Sequence, residues 1–264
     1  MDLDLSDDQE LLRATTERFI ESAMPLSKVR ELADAGDAPG ADYVRSGGEL
    51  GWFAMLVPEE HGGGSASGSG VLDAAILAEE RGRVLQPGPF VPNNVVAYAL
   101  AVSGSDAQRA DILPALIAGE QTATWAVADA TGDWNPEAGV RVSRKDDGFV
   151  LSGVKSLVEH ADRVDWVLVS AVDDEGAVQF LVARDTKGLD AHAVEGFDLT
   201  RRQCEVRFDD VHVPATARVG DTASTSATID RQFWYAAALL TAALGFAATW
   251  RALGAKPASY LRNE

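Results

Sequence analysis

The segment Phe149–Pro214 holds several short runs of alternating apolar and polar residues, and it lies between stretches with helical periodicity. A period of 2 puts successive side chains on opposite faces of a strand, whereas a period of 3.6 builds one apolar stripe on a helix. The chain must therefore build a β layer between helices, an α+β arrangement. The period changes at Thr122, where the first alternating run begins.

The helical part starts at residues 3–24. Ser6 followed by Gln9 has capping-box spacing, Asp7 and Asp8 suit the positive end of a helix, and Leu12, Phe19 and Ala23 share a face. Residues 34–40 form a loop, and a second helix covers Ala41–Glu49. The apolar run from Leu50 ends at Pro58, and Gly62–Gly64 turn the chain. A third helix spans Val71–Gly82, with a polar end at Glu79, Glu80 and Arg81. Pro87, Pro89 and Pro92 give an extended link, because proline lacks the amide hydrogen a helix uses. Further helices follow at Asn93–Ser103 and Asp106–Ala118. Strands are then predicted at Thr122–Ala128, Val140–Arg144, Phe149–Gly153, Trp166–Ala171, Val178–Ala183 and Gln203–Phe208. Asp147-Gly148 and Glu175-Gly176 mark two hairpin turns. The last strand carries Cys204, Val206 and Phe208 on one face and ends at Asp209-Asp210. Phe233–Trp250 carries no charge. It is long enough to span a bilayer, but its alanine, glycine and threonine content makes a buried bundle helix the more economical reading. The divisions are 1–120, helical; 121–225, β; and 226–264, helical.

The formal net charge of −18 argues against nucleic-acid binding, which needs a surplus of Lys and Arg. An anionic ligand would need a local basic patch. Cys204 is the single cysteine, so no internal disulfide forms. The acidic start MDLDLSDDQE lacks the basic and apolar regions of a signal peptide, and a cytoplasmic setting is expected. No Cys/His cluster has metal-ligand spacing, so no metal is expected. Several residues have bland readings: His61 in its Gly-rich turn as structural, Glu59 and Glu60 as solvated or capping acids, Cys204 as core, and Asp230 and Arg231 as capping groups.

Four landmarks in order carry a resemblance. They are LGWFAMLVPEEHGGG (50–64) with AILAEERGR (75–83); LQPGPFVPNNVVAYAL (85–100) leading to ILPALIAGEQTATWAVAD (112–129); GFVLSGVKSLVEHADRVDWVLVSA (148–171); and DLTRRQCEVRFDDVHVPA (198–215). Over residues 1–242 the chain resembles the acyl-CoA dehydrogenase family, above all the short bacterial subunits of heteromeric enzymes for sterol side chains and other bulky acyl-CoA thioesters. The resemblance implies an N-terminal helical domain, a middle β-barrel domain and a C-terminal helical bundle, of which this chain holds a remnant. It implies FAD between the β domain and the bundle, an acyl-CoA substrate, a homo- or hetero-oligomer and no membrane. The implied reaction is α,β-dehydrogenation: a carboxylate takes the α-proton and the flavin takes the β-hydride.

Carried over residue by residue, the family's Thr-Glu-Pro run at the end of the first strand falls on Ala128, Asp129 and Ala130. The flavin-contacting hydroxyl is absent, and backbone contacts from Val127, Ala128 and Asp129 remain. The family's Trp-Ile-Thr-Asn run falls on Leu157, Val158, Glu159 and His160. Leu157 replaces the ring that covers the flavin, and Glu159 replaces a threonine, where its charge would disfavour an anionic reduced flavin. Lys155 is read as a solvated or ion-paired lysine or as a ligand contact. His160 is read as a polar strand end or a site residue. Arg201 and Arg202 would meet the phosphates of CoA or FAD, or else pair with Asp209 or Asp210. Beyond Ala243 the resemblance stops, and the segments that would reach a neighbouring FAD and carry the catalytic glutamate are not found. A truncation or frameshift there is the expectation. Three readings result: an FAD-dependent dehydrogenase of lipid catabolism, a non-catalytic partner subunit, or an inactive truncated product. An apolar helix without its bundle is expected to make the chain oligomeric or poorly soluble.

Overall fold

The computed structural model describes residues 4–196 and 198–254. The first helix, α1 (Asp7–Ala23), starts as its sequence dictates. Ser6 Oγ accepts from the Gln9 amide, and the Gln9 side chain accepts from the Ser6 amide. A second helix, α2 (Leu26–Ala35), lies where no helix was expected. Val29 is its one buried residue, so its apolar stripe is too sparse to show as periodicity. It ends on Gly36 at φ 64°, the left-handed position that glycine takes without strain.

Helices α3 (Ala41–Glu49) and α4 (Gly70–Arg83) match their predicted spans within a residue. The end of α4 is not a solvated polar terminus, since Glu80 and Arg81 are both buried. Helix α5 (Phe90–Ser103) begins earlier than predicted and takes Pro92 into its first turn, where the missing amide hydrogen has no intrahelical partner to lose. The single helix expected at 106–118 is broken at Ile112 into α6 (Asp106–Asp111) and α7 (Leu113–Ile117), with Pro114 opening the second. Asn93 and Asn94 are fully buried in α5. Asn93 accepts from the Ala123 amide and donates to Leu116 O, and Asn94 donates to Trp52 O and Phe90 O. These two amides tie α5 to the first strand and to the loop after α3.

The strands are β1 (Ala123–Ala126), β2 (Val140–Lys145), β3 (Gly148–Glu159), β4 (Trp166–Asp173), β5 (Gly176–Ala183), β6 (Leu189–Ala193), β7 (Gln203–Pro214) and β8 (Arg218–Val219). They form one mixed sheet in the order β6-β7-β3-β2-β4-β5-β8, with β1 parallel to β4. The expected β-barrel is corrected here. The path ends at β6 and β8, which do not pair, so the sheet is open. It still curls around one core, in which Phe149, Phe180, Phe208 and Val206 pack together. The curvature comes from register shifts in β3, between Leu151 and Gly153 and between Lys155 and Val158. At the first, Asp209 and Asp210 of β7 stand against Ser152, and Ser152 Oγ donates to Asp210 Oδ1 at 2.7 Å. The acidic pair therefore makes a bulge instead of ending the strand. Both hairpins form at their predicted turns.

Helix α8 spans Thr222–Gly254. It is not buried all round, as its composition suggested. Thr225, Thr228, Ile229, Gln232, Ala236 and Leu239 form one buried stripe, while Trp234 is exposed on the other side. Burying Ile229 and Leu239 stabilises the contact by about 1.5–3 kcal/mol each. Gln232 accepts from Gln179 of β5 and donates to Val95 O of α5, joining three elements. Close approach of α4 and α8 requires Gly82, where a Cβ would lie 2.1 Å from Ala243 O. No helix among the described residues is long and apolar enough to cross a membrane. Residues 255–264, the end of the expected C-terminal segment, lie outside the described residues.

Candidate functional site

A cleft runs where α4, α5, β1, β3 and α8 meet. One part, about 60 Å³, lies between Val91, Trp125, Val127, Ala128, Leu157 and Leu240. The next, about 100 Å³, lies between Arg81, Leu85, Phe90, Thr200, Arg201 and Leu244. Val91, Glu159, Arg201 and Leu240 line both, so the two adjoin.

The first wall is the end of β1 and the turn after it. Asp129 organises that turn: its carboxylate accepts from the amide and hydroxyl of Thr131 and from the Asp133 amide. The Thr131 hydroxyl bond, with the amides of Thr131, Gly132 and Asp133, holds the Asp129 carboxyl below its ordinary pKa. Lys155 is not solvated or ion-paired; it is fully buried. Its Nζ donates to Val127 O at 2.9 Å and Ala138 O at 2.5 Å, clamping both ends of the 127–138 segment. Burial lowers its pKa to about 8, against a smaller opposing pull from Asp129. Ser156 donates its amide to Ala128 O and its hydroxyl to Asp129 O. In the segment where backbone contacts to a flavin were expected, the carbonyls of Val127, Ala128 and Asp129 thus each accept a hydrogen bond from within the chain. Trp134, in the same segment, packs against Trp125 and Phe233 with ring centroids 6.1 and 5.4 Å away.

The second wall is the end of β3. The bulge there sets Leu157 at φ 52° and His160 at φ 55°, left-handed conformations that cost a non-glycine residue energy. Leu157 projects into the cleft mouth and is 53% exposed. Glu159 is held from behind by Thr124, whose hydroxyl donates to Glu159 O at 2.6 Å. Its carboxylate meets Arg201 Nη2 at 2.7 Å. Glu159 is the chief cause of a raised Arg201 pKa, and the two side chains are each other's ion-pair partner. This alters the expectation that Glu159 presents a bare negative charge. His160 is buried, its Nε2 has no hydrogen-bond partner, and burial lowers its pKa.

Neither arginine pairs with Asp209 or Asp210. Arg202 grips Asp162 with Nε at 2.8 and 2.9 Å and Nη2 at 2.6 Å. Burial works to raise the Asp162 pKa, and the hydrogen bonds from Arg202 and Cys204, with the Arg202 charge, together overcome it and hold the group low. Cys204 is core as expected and donates to the same carboxylate at 3.3 Å. Both guanidiniums expected at phosphates are therefore occupied by acids of this chain. His61 closes a one-turn helix, and Glu59 and Glu60 are exposed on it, away from the cleft.

The sequence reading missed Arg81, Trp134, Thr124 and Leu240 as cleft residues. Tryptophans at 125 and 134 flanking a turn were a usable signal. Nothing local marks Arg81, because only α8 and the 198–201 loop make its surroundings a cavity.

Residues 6–120 match the model of the acyl-CoA dehydrogenase N-terminal domain, and this chain carries that domain. The chain is 26% identical over 243 residues to isovaleryl-CoA dehydrogenase, mitochondrial, of Pongo abelii, covering 82% of this chain and 53% of the relative. A glutaryl-coenzyme A dehydrogenase solved as its glutaryl-CoA complex superposes with a TM-score of 0.84 at 22% identity, over 92% of this chain and 64% of that one. The ChsE4-ChsE5 complex from Mycobacterium tuberculosis gives 0.78 at 23% identity, over 92% and 64%. These superpositions establish the fold. The chain spans about half the length of the curated relatives it matches.

The FAD implied by the resemblance does not fit the residues as they stand. The strand-end carbonyls are engaged, Ala128 offers no hydroxyl, and the Glu159–Arg201 pair borders both parts of the cleft. Each part is also well below the roughly 300–1,000 Å³ of pockets that enclose drug-sized ligands.

Proposed function

We propose that this chain is a subunit of an acyl-CoA dehydrogenase that receives the acyl part of an acyl-CoA thioester in its cleft. A second chain supplies the catalytic carboxylate and most of the contacts to FAD. The observation that carries this reading is the Glu159–Arg201 pair, set where the resemblance calls for a flavin-contacting threonine. An ion pair in a partly buried cleft is costly to open, since separating it leaves a charge without its counter-ion. The apolar walls suit an acyl chain, and the segments 1–120, 121–225 and 226–264 serve as helical, β and helical parts of the subunit. A cytoplasmic enzyme of lipid breakdown is the setting, with no particular acyl chain singled out by the residues named so far.

A second reading is that the chain performs FAD-dependent dehydrogenation itself, as a homo-oligomer. The relationship to acyl-CoA dehydrogenases over most of the chain favours it. The test is to purify the chain alone and together with a full-length acyl-CoA dehydrogenase encoded beside it. Flavin absorbance and acyl-CoA oxidation with an artificial electron acceptor are then measured on both. The partner reading expects flavin and turnover in the pair and neither in the lone chain. Stoichiometric flavin and turnover in the lone chain would refute it.

A further inference from the structure

The segment that follows β1 bridges the two sides of the cleft mouth. On one side Gly132 lies against the end of β3, where a Cβ on it would be 3.4 Å from Leu157 Cδ1. On the other, the Trp134 ring packs on Trp125 of β1 and Phe233 of α8, whose own centroids are 5.0 Å apart. Trp134 and Leu157 both line the part of about 60 Å³.

The base and the tip of this segment are held differently. At the base, Lys155 bonds Val127 O and Ala138 O, Ser156 bonds Ala128 O and Asp129 O, and the Val154 amide donates to Gly139 O. Beyond the base, among the described residues, every hydrogen bond of residues 130–137 stays within 129–138. The turn built on Asp129 therefore keeps the tip in one piece, and no hydrogen bond ties it across the cleft. The Trp134 ring holds it there while remaining 46% exposed. Lifting the tip separates two ring pairs and breaks no hydrogen bond. Each such pair shifts an equilibrium by only roughly two- to tenfold. Gly132 at φ 90° and Gly139 at φ 86° flank Trp134, and glycine accepts the backbone rotation that a hinge needs.

We infer that residues 130–138 form a lid on the cleft and that Trp134 is its latch. The ligand rests on the acyl-CoA reading above: an acyl chain enters when the ring leaves Trp125 and Phe233, and the ring closes again behind it. Entry through a lid scales with the fraction of time it stands open, so a loosened latch speeds entry and exit together. A residue that is only a wall acts on exit alone.

The experiment is stopped-flow mixing of the full-length chain with hexanoyl-CoA, followed by tryptophan emission, to which Trp125 contributes in every variant. Trp134→Ala is expected to raise the association and dissociation rates each roughly tenfold, with Kd within about threefold of the original. Trp134→Phe keeps a ring, and its rates should stay within about threefold. Should Trp134→Ala fail to fold, Phe233→Leu loosens the latch from the α8 side and decides instead, with an expected rise of about threefold or more in both rates. Binding by the loosened variant and not by the unaltered chain also supports the lid. An association rate within about twofold of the original, whatever the dissociation rate, overturns the lid and leaves the acyl-CoA reading standing. Binding by neither protein overturns both.

Discussion

Replacing Lys155 by methionine is expected to change how stability depends on pH more than stability at any one pH. The amine is fully buried, and burial brings its pKa from 10.5 to about 8. At 1.36 kcal/mol per unit, keeping it charged in the folded state costs about 3 kcal/mol. The unfolded chain binds the proton more tightly, so between about pH 8 and 10.5 it holds more protons than the folded chain. Stability from this group therefore rises with pH across that window and is lost as pH falls through 8. Methionine removes the titration. It also strips a donor from Val127 O and Ala138 O, at about 1–3 kcal/mol each. The relief of the buried charge and the loss of two donors oppose each other near neutrality, and the variant should lie within about 2 kcal/mol of the original there. From pH 7 to 10 the original should gain about 2.5 kcal/mol relative to the variant. Urea unfolding of both proteins at steps through this range measures it, and the difference cancels Tyr43 and Cys204, which both proteins share. A difference flat to within about 0.5 kcal/mol would show that Lys155 is not a depressed buried amine.

His160 titrates in the opposite part of the scale. Its folded pKa lies below 6.5, so the stability it contributes is present above 6.5 and lost as pH falls below it; His160→Asn should flatten that acid-side loss in unfolding curves. Gln232→Leu should destabilise by about 1–3 kcal/mol in chemical unfolding, because Gln179 and Val95 O lose a partner in the core. Trp234→Ser, on the exposed stripe of α8, should leave the monomer's stability within about 0.5 kcal/mol. It should also shift any assembled form toward smaller species in size-exclusion chromatography; an unchanged elution would remove this stripe from the contact.

Much of the order of elements was legible because its signals are local. The Ser6–Gln9 capping box, the two hairpin turns and the alternation of Cys204, Val206 and Phe208 each lie within a few residues, and each formed. Helix α2 was missed because a single buried valine leaves no period to read. Strand β6 was missed because it exists through its pairing with β7, Leu189 opposite Phe208 and Ala193 opposite Cys204. The break at Ile112 and the inclusion of Pro92 in α5 were boundary matters that proline chemistry permits either way.

The sequence by itself determined that helices flank a β layer, and it carried the resemblance to acyl-CoA dehydrogenases. The tertiary structure decided what the candidate site is made of. Glu159 and Arg201 are 42 positions apart. Lys155 and Val127 are 28 apart, and Gln232 and Val95 are 137 apart. Such pairings follow from how the bulged end of β3 curls against β1 and α8. A one-residue bulge redirects every side chain beyond it, and no local pattern encodes where that turn will point. Arg81 illustrates the same limit: its residue type was plain in the sequence, while its burial against the rings of Trp52 and Phe90 became visible only once the tertiary structure had closed around it.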